Sequence, residues 1–143
     1  MGGAAIAHNG NITNANALRR ELIERGSIFQ SSSDSECIIH LMARSLQRNI
    51  PERMEDALRR VEGAFSIVAM TRTKLIGVRD PLGVRPLVLG QLGDAWVLSS
   101  ETCALDIIGA NYVREIEPGE MVVIDAKGVQ SHFPFRPANL SAH

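Results

Sequence analysis

Ala7-His8-Asn9-Gly10-Asn11 decides how this chain is read. The stretch follows a short apolar run, Gly3 to Ala7, and precedes a helix expected to begin near Asn14. An asparagine carboxamide and the backbone N–H of the next glycine can point into one small space. Such a space suits a carbonyl oxygen becoming an oxyanion, where one well-aimed donor is worth about 10²- to 10³-fold in rate. Glycine lets a substrate approach the backbone closely. Taken alone, however, Asn-Gly is also the commonest two-residue hairpin turn, so the dipeptide by itself favours a turn.

With 143 residues, the chain is long enough to bury about two-thirds of its unfolded surface in one core. Fifteen Lys and Arg against sixteen Asp and Glu give a formal net charge of −1. The basic doublets Arg19-Arg20 and Arg59-Arg60 fall within helical patterns, so neither nucleic acid nor an anionic membrane is an expected partner. Cys37 and Cys103 form no CxxC pair and no metal-ligand cluster with the four histidines. The expectations are therefore no disulfide framework, no metal, no cofactor and a cytoplasmic setting. No apolar run reaches about 18 residues and no signal peptide opens the chain.

Along the chain, Ala4 to His8 reads as a buried strand delivering Asn9 and Gly10 at its end. Asn14 caps a helix through about Arg25, stopped by Gly26. Ser33 and Glu36 stand as a capping box before a second helix running to about Arg48. Pro51 opens a third, through about Val61. From Ala64 the pattern turns strand-like: 64–70, 74–78, 87–89, 95–99, 121–124 and 129–133, separated by Gly, Pro and Asp turn signals. One short helix, Glu101 to Ile108, is inserted with Thr102 as its cap. Helices first and antiparallel strands afterwards give an α+β class. Residues 1–133 form the domain, and 134–143 read as an irregular tail.

Asp34 lies in the first turn of the second helix, where the helix dipole favours a negative charge. It either only starts that helix or captures a substrate ammonium group. His8 adjoins Asn-Gly and could orient it, while His40 sits in an apolar helix; neither is assigned a catalytic role. Arg79, Asp80 and Arg85 surround a Pro-Gly turn as a local ion pair. Ser99-Ser100-Glu101 is a strand-to-helix junction, followed by Cys103 as a small buried hydrophobe.

The run 7–14, with Ile28-Phe29-Gln30 and Ser33-Asp34-Ser35-Glu36, resembles the class II glutamine amidotransferase domain. The stretches 77–87, 100–106 and Glu117-Pro118-Gly119-Glu120 narrow the resemblance to members that supply ammonia to a phosphoribosyltransferase domain in purine synthesis. The resemblance runs from about Gly2 to Val123. It implies an N-terminal-nucleophile hydrolase fold with antiparallel sheets layered between helices (αββα), here incomplete. It implies that Asn9 and Gly10 supply the oxyanion hole and that Asp34 binds the α-amino group of glutamine. The implied partners are glutamine, the phosphoribosyltransferase part of a parent enzyme, and a second copy of the chain in a homo-oligomer, with exposed strand edges favouring self-association. In that family the nucleophile is an N-terminal cysteine, and an upstream arginine holds the substrate carboxylate. Neither is matched by Met1-Gly2-Gly3. The expectation is a domain cut at both ends, inactive alone, with a non-catalytic glutamine-binding or assembly module as the alternative.

Overall fold

The computed structural model describes residues 5–135. Eight strands and four helices follow in the order β1 (Ala5–Ile12), α1 (Ala15–Glu24), α2 (Asp34–Ala43), α3 (Ile50–Arg59), β2 (Gly63–Met70), β3 (Leu75–Arg79), β4 (Val88–Leu92), β5 (Ala95–Ser99), α4 (Thr102–Ile108), β6 (Asn111–Glu115), β7 (Met121–Asp125) and β8 (Gly128–His132). Two antiparallel sheets result, one ordered β1-β2-β3-β7-β8 and the other β5-β4-β6. Of the expected tail, Pro134 and Phe135 form a turn, and residues 136–143 lie outside the described residues.

The strands of the larger sheet are apolar on both faces because both faces are covered. Phe65, Ile67, Ile76, Val78, Met121 and Val123 pack with the helices α1 to α3. The alternate residues Val68, Leu75, Val122 and Ile124 meet Leu87, Leu89 and Leu98 of the smaller sheet. This is the two-residue period of a strand expressed as two separate cores. Beyond the smaller sheet, Leu105 of α4 packs on Val88 and Ala110. Helix, sheet, sheet, helix is the αββα layering that the resemblance implies.

Several local expectations change. Asn9-Gly10 is not a turn at the end of a strand. Strand β1 runs through it to Ile12, in continuous antiparallel register with β2 from Ala5↔Met70 to Ile12↔Gly63. The pairing partner sits more than fifty residues away in sequence, so no local rule could announce it. Asn14 precedes α1 but makes no side-chain cap. Its Oδ1 accepts from Glu62 N–H (2.9 Å) and its Nδ2 donates to the Arg60 carbonyl (2.8 Å), joining the start of α1 to the end of α3. Helix α2 stops at Ala43, five residues short of the expected end. Glu101, not Thr102, occupies the cap of α4. Strand β6, exposed along most of its length, carries too little apolar alternation to be read from sequence.

Arg79 and Asp80 do not pair with each other. The Arg79 guanidinium donates to the carbonyls of Arg85, Ile116 and Gly83, while Asp80 Oδ2 accepts from the N–H groups of Leu82 and Gly83. A backbone-satisfying role replaces the ion pair because the turn leaves buried peptide groups that need partners. Cys103 is exposed rather than buried.

Replacing Asn14 with Ala removes two long-range hydrogen bonds and should cost about 1–3 kcal/mol. Urea denaturation should then give a lower midpoint with an unchanged slope, and an unshifted midpoint would show the staple to be idle.

Candidate active site

Strand β1 lies at the end of its sheet, so among the described residues only one of its edges is paired. Two backbone hydrogen bonds fix which peptide groups use that edge. Phe65 gives its carbonyl to Asp80 N–H (3.0 Å), and Arg79 N–H donates to the Glu120 carbonyl (3.1 Å). Phe65 therefore turns its peptide groups toward the β3 side and Ser66 turns its own toward β1, by the alternation of an antiparallel ladder. Gly10 faces Phe65 and Asn9 faces Ser66. It follows that the Asn9 carbonyl points into the sheet and the Gly10 N–H points out of it, at the free edge.

Gly10 has φ 142°, and a Cβ built there would lie 2.2 Å from the Ala64 carbonyl oxygen. Close packing of β1 on β2 thus demands glycine at this position, independently of any substrate. Asn9 is exposed, and among the described residues its carboxamide makes no hydrogen bond. It lines a cleft of about 400 Å³ between the sheets, with Ala7, His8, Ser66, Val68, Leu98, Ser99 and Ser100. Ser66, buried directly across from Asn9, has no signal in the sequence that links it to the site.

Gly10 and Asp34 do not line that cleft. Asp34 starts α2, which packs over β1 from the helix side. Its carboxylate is half-buried and makes no hydrogen bond or ion pair among the described residues, yet its charge acts on His8. Asn9 and Asp34 therefore stand on opposite faces of one strand, with the free edge and its Gly10 N–H between them.

The loop before Asp34 is held firmly. Arg19 donates to the carbonyls of Ser31 (2.9 Å) and Ser33 (3.3 Å), and its guanidinium lies 4.4 Å over the Phe29 ring. Ser33 Oγ caps α2 through Ser35 N–H. Glu36 does not complete the expected capping box. It accepts instead from Gln30 N–H and Ser31 N–H, both at 2.8 Å, and from Ser31 Oγ at 2.6 Å. His40 Nε2 lies 3.2 Å from the same carboxylate. The loop's own peptide groups are better partners for Glu36 than the first turn of its own helix.

His8 shares its strand face with Ile6 and Ile12, toward the helices. Burial lowers its tendency to protonate, and the Asp34 charge opposes that shift. Neither cysteine lines the cleft: Cys37 is buried in α2, with its thiol pushed up chiefly by burial, and Cys103 stands exposed beside the Glu101 carboxylate. Among the described residues, no three His, Cys, Asp or Glu side chains gather to hold a metal ion. No helix there is long and apolar enough to cross a membrane. A larger groove of about 660 Å³, walled by Leu58, Phe65, Leu82 and Phe135, contains none of Asn9, Gly10 and Asp34.

The layered αββα fold agrees with the family to which the chain belongs, the glutamine amidotransferase domain family, whose model matches residues 1–106. Its similar relatives are amidophosphoribosyltransferases. The one from Rhizobium etli is 54% identical over 124 residues, covering 87% of this chain and 25% of the relative. The one from Bacillus subtilis is 47% identical over 130 residues, covering 91% and 27%. A solved glutamine phosphoribosylpyrophosphate amidotransferase from B. subtilis, complexed with ADP and GMP, superposes with a TM-score of 0.90 at 46% identity, covering 93% of this chain and 29% of that one. The chain thus spans about a quarter of the length of these curated relatives. A class-II domain protein from Silicibacter pomeroyi, at 20% identity and a TM-score of 0.68, shares the fold.

The loop's dependence on Glu36 sets a pH window. Its carboxyl is held down from 4.5 to about 2, first by the Ser31 hydroxyl and then by Gln30 N–H, with burial opposing. A depressed carboxyl stabilises the fold above its unfolded value and loses that contribution as pH falls through the folded one. Protection of the Gln30 and Ser31 amides from hydrogen exchange should persist above pH 4.5 and fade toward pH 2. In Glu36→Gln it should be weaker at every pH and lack that transition; an unchanged profile would remove Glu36 from the account.

Proposed function

We propose that this chain forms the glutamine-binding and oxyanion-stabilising part of a glutaminase, with the free edge of β1 as the site. Glutamine lies across that edge. Its carboxamide oxygen faces the Asn9 amide and the Gly10 N–H, and its ammonium group pairs with Asp34 on the helix side. When a thiolate attacks the carboxamide carbon, negative charge develops on the oxygen between two N–H donors. Those donors bind the tetrahedral intermediate more strongly than the ground state, which is the condition for acceleration. The intermediate collapses with loss of ammonia to a thioester, and water hydrolyses that thioester to glutamate and free thiol. In the longer relatives named above, the ammonia would serve a phosphoribosyl acceptor in purine synthesis, and the same role is proposed for the protein to which this domain contributes.

The observation that carries the reading is the pairing of an unused Asn9 carboxamide with an outward Gly10 N–H, one strand away from an unpaired carboxylate. A nucleophile is a separate matter. Cys37 is sealed in a helix and Cys103 is exposed and does not line the cleft, so neither thiol is placed to attack the carboxamide. The 143-residue polypeptide by itself therefore binds glutamine without hydrolysing it.

Calorimetric titration of the chain with glutamine should give saturable binding. Asp34→Asn should weaken it about tenfold or more, as expected for loss of a charge-assisted contact worth about 1.5–3 kcal/mol. Asn9→Ala should change affinity far less, because the oxyanion exists only during reaction. Absence of any glutamine heat would overturn the reading. Ammonia release above buffer background that Asn9→Ala abolishes would overturn the claim of inactivity alone.

A further inference from the structure

His8 is a partly buried side chain near the site that the proposed reaction leaves unused. Its Nε2 is sealed from solvent and has no hydrogen-bond partner among the described residues. The residue sits one position before Asn9 on β1, beneath the helix whose first residue is Asp34. Its neighbour across the strand pair, Ile67, carries no charge. On α2, Asp34 is the charged group that acts on it, while Glu36 is committed to the Gln30–Ser31 loop and His40, and the Cys37 thiol is kept protonated by burial. A ring nitrogen without a partner among the described residues, under the helix that begins with the Asp34 carboxylate, is an arrangement with two states.

We propose that His8 is a positioning residue for the glutamine ammonium group, leaving the Asp34 carboxylate free while neutral and competing for it once protonated. This rests on the glutamine reading given above. In the neutral state the imidazole makes no claim on Asp34 and leaves it free for an incoming cation. Burial favours that state. When a proton is added at the ring, both nitrogens become donors, and the buried cation has Asp34 as its charged partner. A carboxylate engaged by His8 is then lost to the ammonium of glutamine. The site thereby selects for a neutral His8, and glutamine binding and protonation of His8 exclude each other.

The test is glutamine affinity of the 143-residue chain, by calorimetry from about pH 8 to about pH 5.5, in wild type, His8→Phe and His8→Gln. In wild type the dissociation constant should be flat at the alkaline end. It should then climb by up to about tenfold per pH unit below the His8 titration, the limit for one excluded proton. His8→Phe and His8→Gln cannot take up that proton and should lose the climb. Equal pH slopes in wild type and both variants would overturn the proposal. Because a ring variant could also loosen the fold, the imidazole of wild-type His8 is followed by NMR in parallel. Saturating glutamine should move its titration to lower pH, by the reciprocity of linked equilibria. A titration indifferent to glutamine overturns the inference while leaving the glutamine site standing. Absence of glutamine binding at about pH 8 in wild type removes both.

Discussion

A strand with one satisfied edge and one unsatisfied edge is the constraint on which this molecule's chemistry rests. Backbone N–H groups are obligatory donors, and those of β2, β3 and β7 spend theirs on the ladder. At the end of the sheet the ladder stops among the described residues, so every second peptide of β1 looks outward. The register decides which peptides those are. Had β1 slipped by one residue, Asn9 N–H would face outward, Gly10 would be consumed inside, and the Asn9 side chain would lie under the helices. The register is pinned by close approach: Gly10 against the Ala64 carbonyl and Gly63 against the Asn11 carbonyl leave no room for a Cβ at either place. Two glycines thus hold in place a donor that a third party can use.

The opposite charge is supplied by a different physical device. Among the described residues Asp34 has no hydrogen-bond or ion-pair partner, and the groups around it are already satisfied: Arg19 is spent on loop carbonyls, Ser33 on the cap and Glu36 on the Gln30–Ser31 peptides. A half-buried carboxylate left over from such a network favours a cation that fits. In the proposed reading, the strand edge supplies the donor end of the site and the helix start its acceptor end. A zwitterionic amide such as glutamine has groups to match both.

Much of this was legible in the chain itself, and the limits of legibility have a common cause. The helices could be read because caps and apolar spacing are local signals, as at Ser33 and Pro51. The α+β class could be read because helical patterns precede short strand-like runs such as 64–70, while the αββα layering came with the resemblance. The roles proposed for Asn9, Gly10 and Asp34 came with the resemblance; taken locally, Asn-Gly favoured a turn. Long-range pairing was not legible. Asn-Gly resembled a hairpin turn because its true partner, Ser66-Phe65, enters from the far side of three helices. Asn14 resembled a helix cap because its carbonyl and amide targets, at Arg60 and Glu62, likewise come from a distant turn. Glu36 looked committed to its own helix when the preceding loop offered more donors. In each case a local motif was real in composition, and tertiary contact redirected it.

The central claim is that the Gly10 N–H is unpaired within the fold and directed at substrate. Residue-resolved amide hydrogen exchange tests it most directly. Gly10 should exchange far faster than its neighbour in the ladder, Asn9, and saturating glutamine should slow Gly10 selectively. A Gly10 amide already protected in the free chain, or one that exchanges at the same rate with and without bound glutamine, would contradict the account.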